Sequence, residues 1–167
     1  MKKRSAGILM YKQSANGLLL LLVHPGGPFW AKKDLGSWSI PKGEYEEGAD
    51  PFFVAKREFE EELGSEPTGA FWELGELVQP SRKVITAWAV EGDFDARELK
   101  SNLFEMEWPP KSRQMKSFPE VDRAEWFTPA DAQKKILSGQ SRFIDRLLDR
   151  IGFVEPLEHS SPQLGLF

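Results

Sequence analysis

The segment PKGEYEEGADPFFVAKREFEEELG, residues 41–64, carries eight carboxylates, four in EYEEGAD and four in REFEEE. Wound as a helix at about 100° per residue with Glu58 at zero, Glu62 falls at about 40° and Glu61 at about 300°. These three share one face. Phe52, Ala55, Phe59 and Leu63 gather beside it as an apolar stripe, Glu60 points into solvent, and Arg57 lies beside Glu61 at the edge of the acidic face. Such a face works against its own helix. Like charges at i,i+3 and i,i+4 repel by roughly 0.2–0.5 kcal/mol per pair. Carboxylates in a last turn also oppose the macrodipole, which prefers cations there. One reading is a solvated acidic surface. The other is a divalent-cation site, favoured by the embedded Arg57, the bordering core stripe and the Gly-rich stretch before it. Three oxygen-bearing side chains without a nearby His or Cys suit a hard ion, Mg²⁺ or Mn²⁺, over Zn²⁺. Mg²⁺ held this way takes its remaining ligands from water and substrate phosphate.

The elements that must position this face are legible around it. Asp50 is an N-cap and Pro51 suits the first helical position. Leu63-Gly64 ends the helix, with Gly64 free to take the left-handed cap. Upstream, residues 5–12 and the apolar run GLLLLLV (17–23) read as a hairpin about Asn16-Gly17, the second strand buried on both faces. HPGGPFWAKKDLGSWSIPKG (24–43) is largely loop, and a loop this long in a small domain is more often functional than filler. Residues 70–79 and 83–91 read as strands joined at Pro80-Ser81. Residues 92–118, polar and broken by Pro109-Pro110, are expected to be a second loop. A short strand at 124–128 precedes a helix capped by Thr128-Pro129 and running to about Leu137, then a helix over 141–151 ended by Gly152. Strands and helices without strict alternation predict a mixed sheet with helices packed on it.

The bulk composition narrows the function. At 167 residues the chain holds one domain with a real core. A net charge of −4 argues against a general nucleic-acid binder. There are no cysteines, hence no thiolate metal site and no Cys nucleophile. No segment approaches the length of a membrane span, and the apolar run after MKKR is too short for a signal peptide. The expectation is a soluble cytoplasmic protein.

The acidic segment resembles the Nudix box. That pattern runs Gly, five residues, Glu, seven residues, Arg-Glu, apolar, any, Glu-Glu, any, Gly, apolar. Gly43, Arg57, Glu58, Phe59, Glu61, Glu62 and Gly64 match in register. Ala49 stands where the pattern has its first Glu, and Ser65 where it has an apolar residue. The strand order and the PEVDRAEWFTPADA segment also resemble the rest of a Nudix domain, so the domain is expected over residues 3–152, with a tail at 153–167. The resemblance implies an α/β fold, a Nudix-type α/β/α sandwich with a mixed β-sheet. It also implies Mg²⁺-dependent hydrolysis of a nucleoside diphosphate linked to another group. Carried over by position, Glu58, Glu61 and Glu62 hold the metals and activate water, the Gly43 carbonyl completes the shell, Arg57 orients the glutamates and Glu120 supplies an extra ligand or base. At the place of Ala49, Asp50, Glu46 or Glu47 could substitute, or the Asp50-Pro51 cap could make that Glu dispensable.

A pyrophosphate substrate needs cations and an aromatic shelf. Lys42 beside Gly43 and Arg4 before the first strand are candidate cations for the cleft, and Lys111, Arg113 and Lys116 of the second loop could meet distal phosphates, with solvated loop positions as the alternative for the lysines and Arg113. Trp30 and Trp38 in the Gly/Pro loop are the candidate stacking faces, with at least one of them plugging the core as the alternative. His24, between an apolar strand and a turn, reads as structural. GSWSIPKGE with the Arg-Ser-Ala-Gly strand is most similar to the branch acting on dinucleoside polyphosphates. The rival readings are an oxidised-nucleotide sanitiser, a nucleotide-sensing module that does not cleave, and an RNA-end hydrolase, which would want a basic channel. Finally, Gln163-Leu164-Gly165-Leu166-Phe167 resembles the short peptide by which bacterial proteins dock onto the replication sliding clamp, with chance or a folded-back tail as alternatives.

Overall fold

A computed structural model describes residues 3–154 of the chain. Strand β1 (Arg4–Ser14) turns at Asn16-Gly17 into β2 (Gly17–Pro25), and a long loop then leads to β3 (Lys42–Tyr45) and helix α1 (Pro51–Leu63). Next come β4 (Phe71–Val78), β5 (Val84–Glu91), a short 3-10 turn (Ala96–Glu98), β6 (Leu103–Glu107), β7 (Met115–Pro119) and β8 (Val121–Phe127). Helices α2 (Pro129–Lys135) and α3 (Ser141–Ile151) close the order. The main sheet runs β4-β5-β1-β2-β8, parallel only between β1 and β5. β3 adds to the first half of β1, opposite residues Arg4–Gly7, while β2 pairs with its second half.

The pleat explains the two unbroken apolar runs. Successive side chains of a strand point to opposite faces, so a strand covered on both sides must be apolar throughout. Ile8, Met10, Leu21 and Val23 face α1 with Val54, Phe59 and Leu63. Leu9, Leu20 and Leu22 face α2 and α3 with Phe143, Ile144 and Leu147. This is the three-layer sandwich with a mixed sheet that the sequence predicts.

Two expectations are corrected. Residues 92–118 are not one loop: β6 and β7 form a two-stranded antiparallel hairpin, Leu103 opposite Pro119 and Glu107 opposite Met115. The period-2 signal is present, since Phe104, Met106 and Trp108 alternate with Glu105 and Glu107, but Pro109-Pro110 at the turn masks it. Trp38 is not a stacking face for a ligand. It is 1% exposed, packed edge-on against Phe127, with its indole N–H donated to Asp34 at 2.8 Å.

Candidate active site

Helix α1 starts where Asp50 accepts the Phe52 backbone N–H at 3.2 Å, with Pro51 following. It ends at Gly64, which adopts φ 83° and donates its N–H to the Glu60 carbonyl. No basic residue lies in its last turn. The free carbonyls there are taken instead by the chain before the hairpin: Lys100 N–H donates to Leu63 at 3.1 Å and Asn102 N–H to Glu61 at 2.9 Å. Orphan carbonyls at the acidic end are thus satisfied without cations that would compete for the carboxylates.

Four carboxylates meet at this end. Glu58, Glu61 and Glu62 come from α1, and Glu120 from the turn between β7 and β8. Burial, then the charge of Glu61, holds Glu58 above the ordinary carboxylate range, against the pull of Arg57 and Lys42. Burial pushes Glu62 well up; Lys42 opposes this, while Glu58 and Glu120 add to it. Burial, followed by Glu58 and Glu61, raises Glu120. These carboxylates raise one another, so α1 and the β7–β8 turn share one electrostatic field. Arg57 lies across it, with Nη2 at 3.3 Å from Glu58 and Nε at 3.5 Å from Glu61.

Gly43 is chosen by space. A Cβ there would overlap the Glu58 carboxylate, so the β3 backbone reaches the acidic face only as glycine. The neighbouring Lys42 supplies the cation that Glu58 and Glu62 both feel. The long loop therefore has both ends at the site. Gly26 N–H donates to the Glu120 carbonyl at 3.0 Å, and residues 42–43 rest on Glu58 and Glu62.

The other residues singled out in the sequence are dispersed. Arg4 turns to β4 and pairs with Glu76 at 3.0 Å. Trp30 is half-buried on the long loop, with the Lys33 ammonium 5.2 Å from its ring centre. Lys111 and Arg113 sit at the hairpin tip and Lys116 on β7. His24 is buried, Nδ1 2.8 Å from the Asp122 carboxylate and Nε2 2.7 Å from the Lys33 carbonyl, so it ties the loop to β2 and β8. Ala49 is exposed in the turn before the N-cap, and Asp50 is spent on capping. Asn102 was not foreseen, because a backbone donor leaves no side-chain signature.

The donor set suits a hard divalent cation: carboxylate oxygens and a backbone carbonyl, with no thiolate, and with two half-buried carboxylates of raised pKa. Among the described residues these side chains do not form a closed three-ligand cage. Raised carboxylate pKa values carry a stability consequence. The fold favours the neutral acid, so this contribution is present at low pH and is lost as pH rises from the ordinary carboxylate range through the raised value. Glu62→Gln, which copies the neutral form, is expected to stabilise the metal-free protein at pH 8 and to lose that advantage at pH 4. Urea unfolding in a chelator checks this; a Glu62→Gln protein no more stable than wild type would show that the fold holds the anion comfortably.

The NUDIX domain family model matches residues 1–147. No curated protein matches at a significant level. Solved structures do. The NUDIX domain of Shewanella oneidensis NrtR, complexed with ADP ribose, superposes with a TM-score of 0.63 at 17% identity, over 90% of this chain and 89% of that one. A Caenorhabditis elegans Ap4A hydrolase gives 0.61 at 18% identity, over 89% and 98%. The C-terminal domain of mouse MUTYH, solved with human PCNA, gives 0.59 at 16% identity, over 98% and 100%. At these identities the likeness is one of fold. The family match spans most of the chain, and its signature residues lie together on α1 and β3: the chain belongs to the Nudix hydrolase family.

Proposed function

We propose that this chain is a Mg²⁺-dependent pyrophosphohydrolase of nucleoside polyphosphates, of the dinucleoside polyphosphate or nucleoside triphosphate type, acting in the cytoplasm. The observation that carries the reading is the convergence of Glu58, Glu61, Glu62 and Glu120 with Lys42 and Arg57 at the two ends of one long loop. Solved structures of like fold include an Ap4A hydrolase, which supports the polyphosphate reading, and a domain complexed with ADP ribose, a nucleoside diphosphate of another type.

Glu58, Glu61 and Glu62 would hold the cation together with the Gly43 carbonyl; Mn²⁺ would serve in place of Mg²⁺. When bound, the cation neutralises pyrophosphate charge and lowers the pKa of water. Arg57 holds Glu58 and Glu61 in register through its two contacts. Lys42 offers its ammonium to a phosphate oxygen while offsetting Glu62. Glu120, raised by burial and two neighbouring carboxylates, is suited to accept a proton from water at its carboxylate. No covalent nucleophile is required, because positioning and electrostatics do most of the work in phosphoryl chemistry.

The rival is a module that binds nucleotide without cleaving it. Ala49, which offers no carboxylate in its exposed turn, is the observation in its favour. Phosphate release across diadenosine tetraphosphate, ADP-ribose, 8-oxo-dGTP and ordinary triphosphates separates the readings. The expected result is Mg²⁺-dependent turnover of one class, reduced more than ~10²-fold in Glu61→Gln. Turnover of 8-oxo-dGTP instead selects the sanitiser, and no turnover with Mg²⁺ or Mn²⁺ selects the binding module.

The clamp-like residues Gln163, Leu164, Leu166 and Phe167 lie outside the described residues. The fold likeness to a domain solved with PCNA keeps clamp docking as a second reading. Deletion of residues 163–167 is expected to abolish retention on immobilised bacterial sliding clamp; unchanged retention refutes it.

A further inference from the structure

The first residues of the long loop lie on one face of the β6–β7 hairpin. On that face Phe104, Met106 and Trp108 alternate, with Phe118 and Lys116 opposite Phe104 and Met106. The inner half is packed. Gly26 and Gly27 pass so close that a Cβ on either would strike the Pro119 carbonyl or the Phe104 ring. Phe104 and Phe118 stand 6.0 Å apart by ring centres. The outer half is open. Phe29 is 62% exposed, and its ring meets Trp108 edge-on at 5.5 Å. Lys111 and Arg113 flank the tip, both at φ 62°. Their backbone N–H groups donate to the two oxygens of Glu107, at 3.3 and 2.8 Å. A non-glycine residue in that region is strained. Anchoring the loop does not require Phe29, since the Gly26–Glu120 hydrogen bond and the Gly27–Phe104 contact already hold it.

We propose that Phe29, Trp108, Lys111 and Arg113 form an outer subsite for the nucleoside at the far end of a polyphosphate chain. The subsite rests on the hydrolase reading for the position of the scissile phosphates at Glu58 and Glu62. The hairpin starts beside Glu120, and its strands carry the tip ~14 Å further out, four steps at ~3.4 Å. A chain of phosphates crosses such a span and a single diphosphate does not. Phe29, exposed and backed edge-on by the half-buried Trp108, offers a face on which a base stacks whatever its identity. Two cations at the same hairpin tip match the phosphates that lead to that base, in a protein whose net charge is −4 with both of them counted.

The test compares wild type with Phe29→Ser, with Phe29→Trp, and with Lys111→Gly combined with Arg113→Gly. Glycine takes positive φ without strain, so the double variant removes charge while keeping or raising the melting temperature. The expected result with diadenosine tetraphosphate is a KM about 10-fold higher for Phe29→Ser and for the double glycine variant, with kcat within about two-fold and wild-type KM in Phe29→Trp. Equilibrium dialysis with a methylene-bridged, non-cleavable analogue of diadenosine tetraphosphate and Mg²⁺ gives the same comparison without turnover. It decides the subsite even if the wild-type protein hydrolyses nothing, a result that would end the hydrolase reading alone. Unchanged KM and Kd in the variants, or no binding of the analogue by wild type, overturns the subsite.

Discussion

Negative charge at the C-terminal end of α1 is the constraint around which this protein is arranged. Three glutamates share a face where the helix itself is electronegative, and burial raises two of them further. Every neighbour answers that charge without neutralising it from within the helix end. Arg57 lies along its side, Lys42 approaches from β3, and the backbone of Lys100 and Asn102 satisfies the last carbonyls. The remaining deficit is what a divalent cation would relieve, and it is the reason a stability-optimised helix would not look like this one.

The sheet makes that arrangement affordable. β1 is buried on both faces and receives β2 on its second half and β3 on its first, so the chain between them must leave the sheet and return. That detour is the Gly/Pro/Trp loop. His24, Asp34 and Trp38 fasten its middle through half-buried polar contacts on the α2 side. Its two ends are left beside Glu120 and Glu58, and Phe29, near its start, is left on the hairpin. One topological necessity thus produces both walls around the acidic face.

Much of this was readable in the sequence where local chemistry and global fold agree. The Asp50-Pro51 start, the Gly64 stop and the apolar runs of β1 and β2 each follow from a short-range rule. The acidic face followed from helical spacing alone. Trp38 was misread because a Trp in a loop can be core when the loop folds back over the sheet, and no local signal reports that. The β6–β7 hairpin was missed because its strands are short, its outer residues polar and its turn rich in proline. Glu120 joins the α1 glutamates through contacts between residues far apart in sequence, which here only the family resemblance anticipated.

The central claim is that the acidic end of α1 is built for a divalent cation. Calorimetric unfolding of the metal-free protein at pH 7.5, in rising Mg²⁺ or Mn²⁺ against NaCl of equal ionic strength, tests it most directly. A cation that binds only the folded state raises the melting temperature with concentration. The predicted result is a rise with either divalent ion, absent in NaCl and strongly reduced in Glu58→Gln. Melting curves that respond equally to Mg²⁺, Mn²⁺ and NaCl would show that the face is a screened surface charge, and would contradict the claim.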